Sequence, residues 1–431
     1  MKKIRRRIGK GMDIGREDSP EAASCWILTE SHEFILRTFA FLPAKTLGIC
    51  AQVCKAWCRE VKRVLHQRDQ IGWAASGRLE AGEADKGTKD RSKDQLGRFG
   101  VRLNACLSML SSLPHQAIVF SECLSLEDFQ KDDDFDDDEF RPGGTRRLLQ
   151  ESVTAVSSRL PLGSSVVFVH SDGTMGCKAD LSPAGETEGA WGTSCILLPN
   201  MEGVTVDCRR HYHSDLVGSR VDSYIRSLSL PADTCCILVF SNGGTHGTLV
   251  EPLQRGFYSE LGTMPVIAGG IAKEMIMEVS GQPVDRRTGS KKLPSCMTVA
   301  FSGARVKAAS LVLNHSITTW EKARQKLQEL KKVGLSEKRS LAFVFSCVGR
   351  GRHFYKAEDV ESGAFHEVFP DTPLVGFFGG GEYGCDNLTL GENVRDKADA
   401  DCTTPGWKTA QKKLPSLEQS FTCVICLLSF G

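Results

Sequence analysis

The sequence lacks a net charge of either sign. Its 54 lysines and arginines nearly balance its 53 aspartates and glutamates, which leaves a formal charge of +1. This balance gives no overall field that attracts a polyanion, so neither nucleic acid nor a membrane surface is an expected partner. Long apolar runs are missing as well. The run from Cys235 to Phe240 falls far short of the roughly 18 residues that a membrane span needs.

A disulfide framework is also missing, although cysteine is plentiful. The 17 cysteines are odd in number and follow no regular spacing, which favours reduced thiols in the cytoplasm, the nucleus or both. The basic N-terminal residues are followed by Gly11, Met12 and Asp13, where a signal peptide would need an apolar stretch. We therefore expect a basic tail over residues 1–26 and no secretion.

Sequence signals for metals and cofactors are weak. Cys423 and Cys426 have no second pair of cysteines or histidines at zinc spacing. The Gly-x-Gly-x-x-Gly pattern at 379–384 is not followed by the helix that a dinucleotide site needs. We predict no metal site and no cofactor.

Catalysis has one candidate in the sequence. Cys347 lies close to Arg350, whose charge would favour a thiolate, and His353 or His366 is available as a base. An ordinary buried cysteine is the commoner meaning of this pattern. We therefore predict no catalytic residue and no enzymatic activity.

Two charged stretches divide the chain. Residues 78–98 mix glycine with charged residues and show almost no apolar periodicity, and residues 132–139 hold seven acidic residues interrupted by Phe135. The predicted segments are a helical module at 27–75, a linker at 76–99 and an α/β domain at 100–431, which contains an acidic loop at 131–140 and has parts at about 100–315 and 316–431.

The helical module presents an apolar face. Residues 31–65 show helical periodicity, and Pro43 separates an earlier helix from a later one. About 45 residues cannot enclose so many large apolar groups unaided, so either the rest of the chain or a partner must cover them. The face of the later helix consists of Leu47, Cys50, Cys54, Trp57, Val61 and Val64.

Short β-rich runs follow after Gly100, with an amphipathic helix at 319–333. Three of these runs, starting at Ile237, Met264 and Met297, parallel three later ones. We therefore predict two related strand-loop-strand units that face each other across a cleft. The predicted strands are 165–169, 237–240, 264–268, 297–301, 341–345, 373–378 and 421–428.

Two glycine-rich loops follow predicted strands in the last part of the chain. Glycine permits tight turns and the close approach of other groups, so these loops are either structural turns or the wall of a pocket for a small polar molecule. The predicted pocket residues are Cys347, Gly349, Arg350, Gly351, Gly379, Gly380, Gly381 and Glu382.

The helical module resembles an F-box, the module by which substrate receptors dock onto the Skp adaptor of cullin-RING ubiquitin ligases. The resemblance rests on residues 35–45 (ILRTFAFLPAK), residues 53–57 (VCKAW) and Trp73, which closes the motif. It implies an apolar surface that binds the adaptor. Together with the apolar face, it predicts the adaptor-binding residues Leu36, Phe39, Leu42, Pro43, Leu47, Val53, Cys54 and Trp57.

The last part of the chain is similar to the C-terminal half of a FIST domain, through residues 347–351 (CVGRG) and 373–382 (PLVGFFGGGE). The two resemblances together imply an α+β protein with an F-box and a FIST-type domain. They imply a non-catalytic substrate receptor of a Skp-cullin-F-box ubiquitin ligase, which recruits target proteins for ubiquitination and proteasomal degradation. The alternative is a binding module that senses a small ligand through the glycine loops.

Overall fold

The computed structural model describes residues 31–77, 88–122, 142–183, 185–188, 192–216, 221–243, 250–261, 264–281, 294–389 and 415–431. The chain divides between Gln67 and Arg68 into two compact units, called here the N-terminal unit and the C-terminal unit. The predicted basic tail and the predicted acidic loop lie outside the described residues. The predicted α+β class is confirmed, because helices accompany three mixed sheets in the described part of the chain.

The N-terminal unit contains α1 (His32–Phe39), α2 (Ala44–Cys50) and α3 (Lys55–His66). Pro43 separates α1 from α2, since a proline inside a helix would remove a backbone hydrogen bond. The Cys54 thiol caps α3 by accepting a hydrogen bond from the Trp57 amide at 3.5 Å.

The core of the N-terminal unit joins α1 to the apolar face predicted from the sequence. Ile35 and Phe39 of α1 pack on Leu47, Val61 and Val64. The chain itself therefore covers a large part of that face. The apolar residues that stay exposed lie elsewhere on the unit.

The C-terminal unit is built from many strands and a smaller number of helices. Its described helices are α4 (Thr88–Met109), α5 (Pro142–Ser157), α6 (Val221–Ser227), α7 (Val250–Leu261), α8 (Trp320–Lys331), α9 (Arg352–Tyr355) and α10 (Val360–Val368). Its described strands are β1 (Gly72–Ser76), β2 (Pro114–Ser121), β3 (Ser165–His170), β4 (Gly173–Gly176), β5 (Thr187–Glu188), β6 (Thr193–Pro199), β7 (Thr205–His211), β8 (Thr234–Asn242), β9 (Val266–Ala272), β10 (Glu274–Val279), β11 (Cys296–Ser302), β12 (Val306–Leu313), β13 (Ser340–Cys347), β14 (Leu374–Gly379), β15 (Glu382–Gly384), β16 (Glu418–Gln419) and β17 (Cys423–Phe430).

The strands repeat one arrangement in each of the three sheets. The sheets contain the strand orders β1-β6-β2-β3, β7-β11-β8-β9 and β12-β17-β13-β14, which define the first, second and third repeats. In every repeat the last two strands are parallel and the other neighbours are antiparallel. The predicted likeness between the second and third repeats is thereby confirmed, and a first copy precedes them.

One or two further strands from each repeat join the sheet of another repeat. Strand β4 pairs with β14, β10 with β3, and β15 with β9. Equivalent backbone bonds mark each crossing: Asp172 N donates to Phe378 O, Lys273 N to His170 O, and Gly380 N to Ile271 O. The exchange runs from first to third, second to first and third to second repeat. The three exchanges therefore connect the repeats in a closed ring, in which each sheet contains a strand from a neighbouring repeat.

A triangle of phenylalanines lies where the three repeats meet. Phe120, Phe240 and Phe345 each stand between a valine and a serine in the central strand of their repeat. Their ring centroids lie 5.8, 5.9 and 6.2 Å apart, in edge-on contact. The rings are fully buried in a core that the inner faces of all three sheets share.

Several predicted boundaries differ from the structure. Strand β1 pairs with β6, so residues 72–75 belong to the first sheet and not to the helical module. Helix α4 begins at Thr88, so the linker predicted at 76–99 is too long at its C-terminal end. The third repeat begins with β12 at Val306, before the predicted division at 315/316. For β1 and β12 the cause is that their partners, β6 and β17, are distant in sequence.

Candidate functional site

The eight predicted adaptor-binding residues divide by exposure. Phe39 and Leu47 lie in the core of the N-terminal unit, with exposures of 3% and 0%, so they pack internally and the prediction of a partner contact is wrong for them. Val53 is well exposed. The remaining residues of the set are half-buried: Leu36, Leu42, Pro43, Cys54 and Trp57.

The most exposed large apolar residues that the structure describes in this unit lie around α2. Phe41 precedes the helix, Ile49 lies within it and Val53 follows it, and their exposures are 88%, 66% and 64%. We call these three residues the α2 surface. Sequence reasoning missed Phe41 and Ile49 because helical periodicity selects the face that packs inward. A useful signal was the presence of large apolar residues at positions outside that face.

Trp73 belongs to a different part of the molecule. It lies in β1 of the C-terminal unit, and its indole Nε1 donates a hydrogen bond to the Lys178 carbonyl at 2.9 Å. Trp73 therefore packs with the C-terminal unit, and its role as the last residue of the F-box motif stays a prediction. Its partner is more than a hundred positions further along the chain, which a local motif does not reveal.

The two glycine-rich loops meet at one end of the third repeat. Cys347 of β13 pairs with Gly379 of β14, and the Val348 amide donates to the Gly379 carbonyl at 3.0 Å. Gly351 faces the Glu188 carboxylate so closely that a Cβ atom would overlap it. Gly379 faces the Ile271 carbonyl oxygen, 2.3 Å from where a Cβ would lie. A Cβ at position 379 would collide with backbone, whereas a Cβ at position 351 would meet only the end of a flexible side chain, so close packing requires glycine at Gly379.

Arg350 is fully buried, and its guanidinium group points inward. Its Nε donates to Glu361 Oε1 at 2.8 Å, and its two terminal nitrogens donate to further groups. Those acceptors are the carbonyls of Asn314, Ile317 and Phe421 and the hydroxyl of Tyr355. All five N–H donors of an arginine are therefore used. Arg350 holds α9, α10 and two further loops together, and the prediction that it binds a ligand is wrong.

Glu382 is the most unusual of the predicted pocket residues. It is 1% exposed, and its Oε2 accepts hydrogen bonds from the hydroxyl and amide of Thr422, at 2.7 and 3.2 Å. Its Oε1 is buried without a hydrogen-bond partner, and so is the Ser346 hydroxyl of β13. Burial raises the pKa of the Glu382 carboxyl to about 7. A group of this kind can hold or release a proton near neutral pH.

The thiol of Cys347 is not acidified. Burial raises its pKa, and the Glu382 carboxyl adds to the effect. Arg350 cannot oppose these effects, because its charge is directed to Glu361 on α10. The prediction that Cys347 is not a nucleophile is consistent with this surrounding, which disfavours the thiolate.

Sequence reasoning missed four acidic or phenolic groups close to these loops: Glu186, Glu188, Tyr355 and Glu361. Glu188 accepts a hydrogen bond from the Arg352 amide at 2.6 Å, and Glu186 accepts one from the Ser362 amide at 2.7 Å. Both glutamates come from the first repeat and reach the third through β4 and β5. In the described part of the chain, no group of three or more acidic, cysteine or histidine side chains is arranged to hold a metal ion. No described helix is long and apolar enough to cross a membrane.

Comparisons with known proteins agree with the two resemblances. The model of the FIST C domain matches residues 295–385, which run from β11 to β15. F-box only protein 22 of Homo sapiens is 25% identical over 440 residues, which cover 96% of this chain and 97% of that protein. F-box only protein 22 of Pongo abelii is 24% identical over 439 residues, with the same coverage. The chain thus contains a FIST C domain and resembles F-box only protein 22 along nearly its whole length.

Proposed function

We propose that this chain is the substrate-recognition subunit of a Skp-cullin-F-box ubiquitin ligase. In this proposal the N-terminal unit binds the Skp adaptor, which connects it to the cullin-RING scaffold. The C-terminal unit captures a target protein for ubiquitination and proteasomal degradation in the cytoplasm, the nucleus or both. Ubiquitin transfer is carried out by the partners, so no residue of this chain needs to be catalytic.

The observation that carries the proposal is the α2 surface, together with a likeness to an F-box protein over nearly the whole chain. Phe41, Ile49 and Val53 are large apolar residues with most of their surface in water. A fold of three short helices gains nothing from exposing them. A partner that covers them would gain the free energy of their burial, which is about 1.5–3 kcal/mol for each large side chain.

Co-purification with the Skp adaptor tests this role. The full chain is compared with the triple variant Phe41→Ala, Ile49→Ala and Val53→Ala. Because these side chains are exposed, their truncation leaves the core of the N-terminal unit intact. We expect a loss of several kcal/mol of binding free energy, enough to abolish a complex of micromolar affinity.

The matched control removes exposed apolar side chains from the other unit. Val101, Met109 and Leu162 have exposures of 70%, 78% and 87%, and their replacement by alanine should leave adaptor binding unchanged. If the wild-type chain does not bind the adaptor, or if both triple variants bind equally well, the proposed role is wrong.

A second candidate function is the sensing of a small polar ligand, with capture of a protein controlled by the ligand. It is favoured by Glu382 Oε1, a buried carboxyl oxygen without a partner, because a ligand that satisfies it would remove an energetic cost. Thermal unfolding with a panel of metabolites tests this. A ligand at 100 times its dissociation constant stabilises by about 2.7 kcal/mol, and the stabilisation should be smaller in the variant Glu382→Gln. A panel without effect contradicts ligand sensing.

A further inference from the structure

The three repeats place equivalent strands at the outer edges of their sheets. Strands β1, β7 and β12 each begin a repeat and lie at the end of a sheet. Strands β1 and β12 are largely buried, whereas β7 is buried at His211 and is half-buried or exposed along the rest of its length. In the described part of the chain, β7 is the most accessible of the three edge strands.

The pairing registers relate the three edges residue by residue. In each repeat the phenylalanine of the central triangle is paired with a residue of the adjacent antiparallel strand, and that residue is paired with one of the edge strand. These two steps place Ala75, Arg210 and Val312 at equivalent positions. Two residues earlier, Cys208 of β7 matches Ser310 of β12.

Other parts of the chain cover the outer edges of β1 and β12. Helix α4 packs along β1, and Arg102 Nη1 donates to the Ala75 carbonyl at 2.9 Å. Beside β12, the amides of Ser310 and Asn387 each donate to the other residue's carbonyl at 2.9 Å, as in an antiparallel pair of strands. The third repeat thus shows that the outer edge of this strand accepts an antiparallel backbone partner.

The corresponding edge of β7 has no backbone partner among the described residues. By the equivalence of the three strands, Val206, Cys208 and Arg210 direct their backbone N–H and C=O groups away from β11. The side chain of Gln116 agrees with this direction, because its Nε2 donates to the Val206 carbonyl at 3.1 Å. That oxygen can accept a second hydrogen bond. An edge of this kind is a template for pairing with another strand.

The charges along β7 are complementary to a second copy of the same strand. Asp207 and Arg209 lie on one face of β7, on either side of Cys208, and form an ion pair at 2.6 Å that is partly exposed. In an antiparallel pair of two copies centred on Cys208, Asp207 of each copy lies opposite Arg209 of the other, with about 4.5 Å between their Cα atoms. Val206 of each copy then exchanges backbone hydrogen bonds with Arg210 of the other. Opposite charges at facing positions stabilise a strand pair, whereas like charges destabilise it.

We propose that β7 pairs with β7 of a second copy of this chain, across a twofold axis at Cys208, so that one sheet continues through both molecules. Such an interface requires a surface that is complementary to itself, which the order of charges on β7 provides. A single pair of strands buries less surface than a standard interface, so we expect a weak dimer that depends on concentration. This inference goes beyond the receptor role and does not depend on it.

Sedimentation velocity of the full chain under reducing conditions, over about 1–100 µM, tests the proposal. We expect an equilibrium between monomer and dimer. The variants Asp207→Arg and Arg209→Asp should each associate about tenfold more weakly or worse, because like charges then face each other at positions 207 and 209. An equal mixture of the two variants should dimerise again, because each position 207 then faces an opposite charge at position 209 of the other variant.

The matched control is Lys273→Asp, which reverses one charge of an ion pair with Asp172 that is exposed to a similar extent. It should dimerise as the wild type does. A loss of association through misfolding would not be reversed by mixing, so recovery in the mixture reports on the facing charges themselves. The inference is wrong if the wild type stays monomeric, if the two charge variants dimerise as the wild type does, or if their mixture stays monomeric.

Discussion

The structural role of Arg350 follows from its side-chain N–H groups, all of which donate hydrogen bonds within the protein. It is 0% exposed, and each N–H finds an acceptor on Glu361, Tyr355 or a loop carbonyl. Glycines on either side let the loop turn, and the sequence alone leaves it open whether the arginine points inward or outward. The direction is decided by Glu361, eleven positions further on, whose partner no local pattern identifies.

The first prediction follows from this burial. Arg350→Met should lower the free energy of unfolding by about 3–5 kcal/mol, because it leaves the Glu361 carboxylate buried without its cation. Urea unfolding of the full chain measures the loss. Arg352→Met is the control, since its ion pair with Glu358 is exposed and should contribute less than about 1 kcal/mol. Equal, small losses in both variants would contradict an organising role for Arg350.

A second prediction concerns the serine that follows the central phenylalanine of each repeat. Ser121 bonds Thr193 at 2.8 Å and Ser241 bonds the Tyr383 hydroxyl at 2.6 Å, whereas the Ser346 hydroxyl has no partner. The amides of Asp172 and Gly380 make equivalent hydrogen bonds just before the exchanged strands β4 and β15. Met175 and Tyr383 each lie three residues after these amides, so Met175 occupies in the third sheet the position that Tyr383 occupies in the second. Tyr383→Phe should therefore leave Ser241 unsatisfied as well, at a cost of about 1–3 kcal/mol.

A double variant controls for that change. Adding Ser241→Ala to Tyr383→Phe removes both partners, and the cost should shrink, because no buried hydroxyl is then left without a hydrogen bond. Chemical denaturation of the single and double variants gives the comparison. A double variant that is less stable than the single one would show that packing, and not the hydrogen bond, determines the loss.

At the scale of elements, residues 185–188 act as a strap from the first repeat to the third. The Glu186 amide donates to Asp359 Oδ1 at 2.6 Å, and the carboxylates of Glu186 and Glu188 accept from the amides of Ser362 and Arg352. Burial raises the pKa of the Glu186 carboxyl from 4.5 to about 8, and the nearby Glu361 and Asp359 carboxylates add to the rise. The Glu186 carboxyl is therefore protonated near neutral pH while the strap contacts the third repeat.

The third prediction follows from the proton that the Glu186 carboxyl holds in the folded chain. Between pH 4.5 and about 8 the folded chain keeps a proton that the unfolded chain releases, so Glu186 increasingly disfavours folding as the pH rises. Above pH 8 its effect is constant. The variant Glu186→Gln should thus become more stable relative to the wild type as the pH is raised from 5 to 8. Glu251→Gln, on an exposed helix surface, should show no such trend.

The elements that the sequence predicted are those with strong local signals. The central strands β8, β13 and β17 are continuous apolar runs, and α8 combines amphipathic spacing with Thr319, whose hydroxyl accepts from the Lys322 amide at 3.3 Å. The exchanged strands β4 and β15 are short, rich in glycine and stabilised by distant partners, so no local pattern indicated them. The first repeat was missed for a similar reason, since charged stretches interrupt its strands and helices in the sequence.

At the scale of the whole molecule, the exchanged strands determine which parts of the chain can fold alone. Residues 295–385 match the FIST C domain, but β14 needs β4 from the first repeat and β15 needs β9 from the second. The inner face of the third sheet also packs on Phe120 and Phe240 of the other repeats. The matched region is therefore a part of a larger ring and not an independent folding unit.

The fourth prediction compares two fragments of the chain. All described strand pairs lie within residues 68–431, so this fragment should unfold cooperatively near the temperature of the C-terminal unit in the full chain. The fragment 295–431 should be insoluble or lack near-ultraviolet circular dichroism, because it exposes one edge of β14 and one side of a shared core. Removal of residues 1–67 should also abolish co-purification with the Skp adaptor. Independent, cooperative folding of 295–431 would mean that the exchanged strands are dispensable and that the three repeats fold separately.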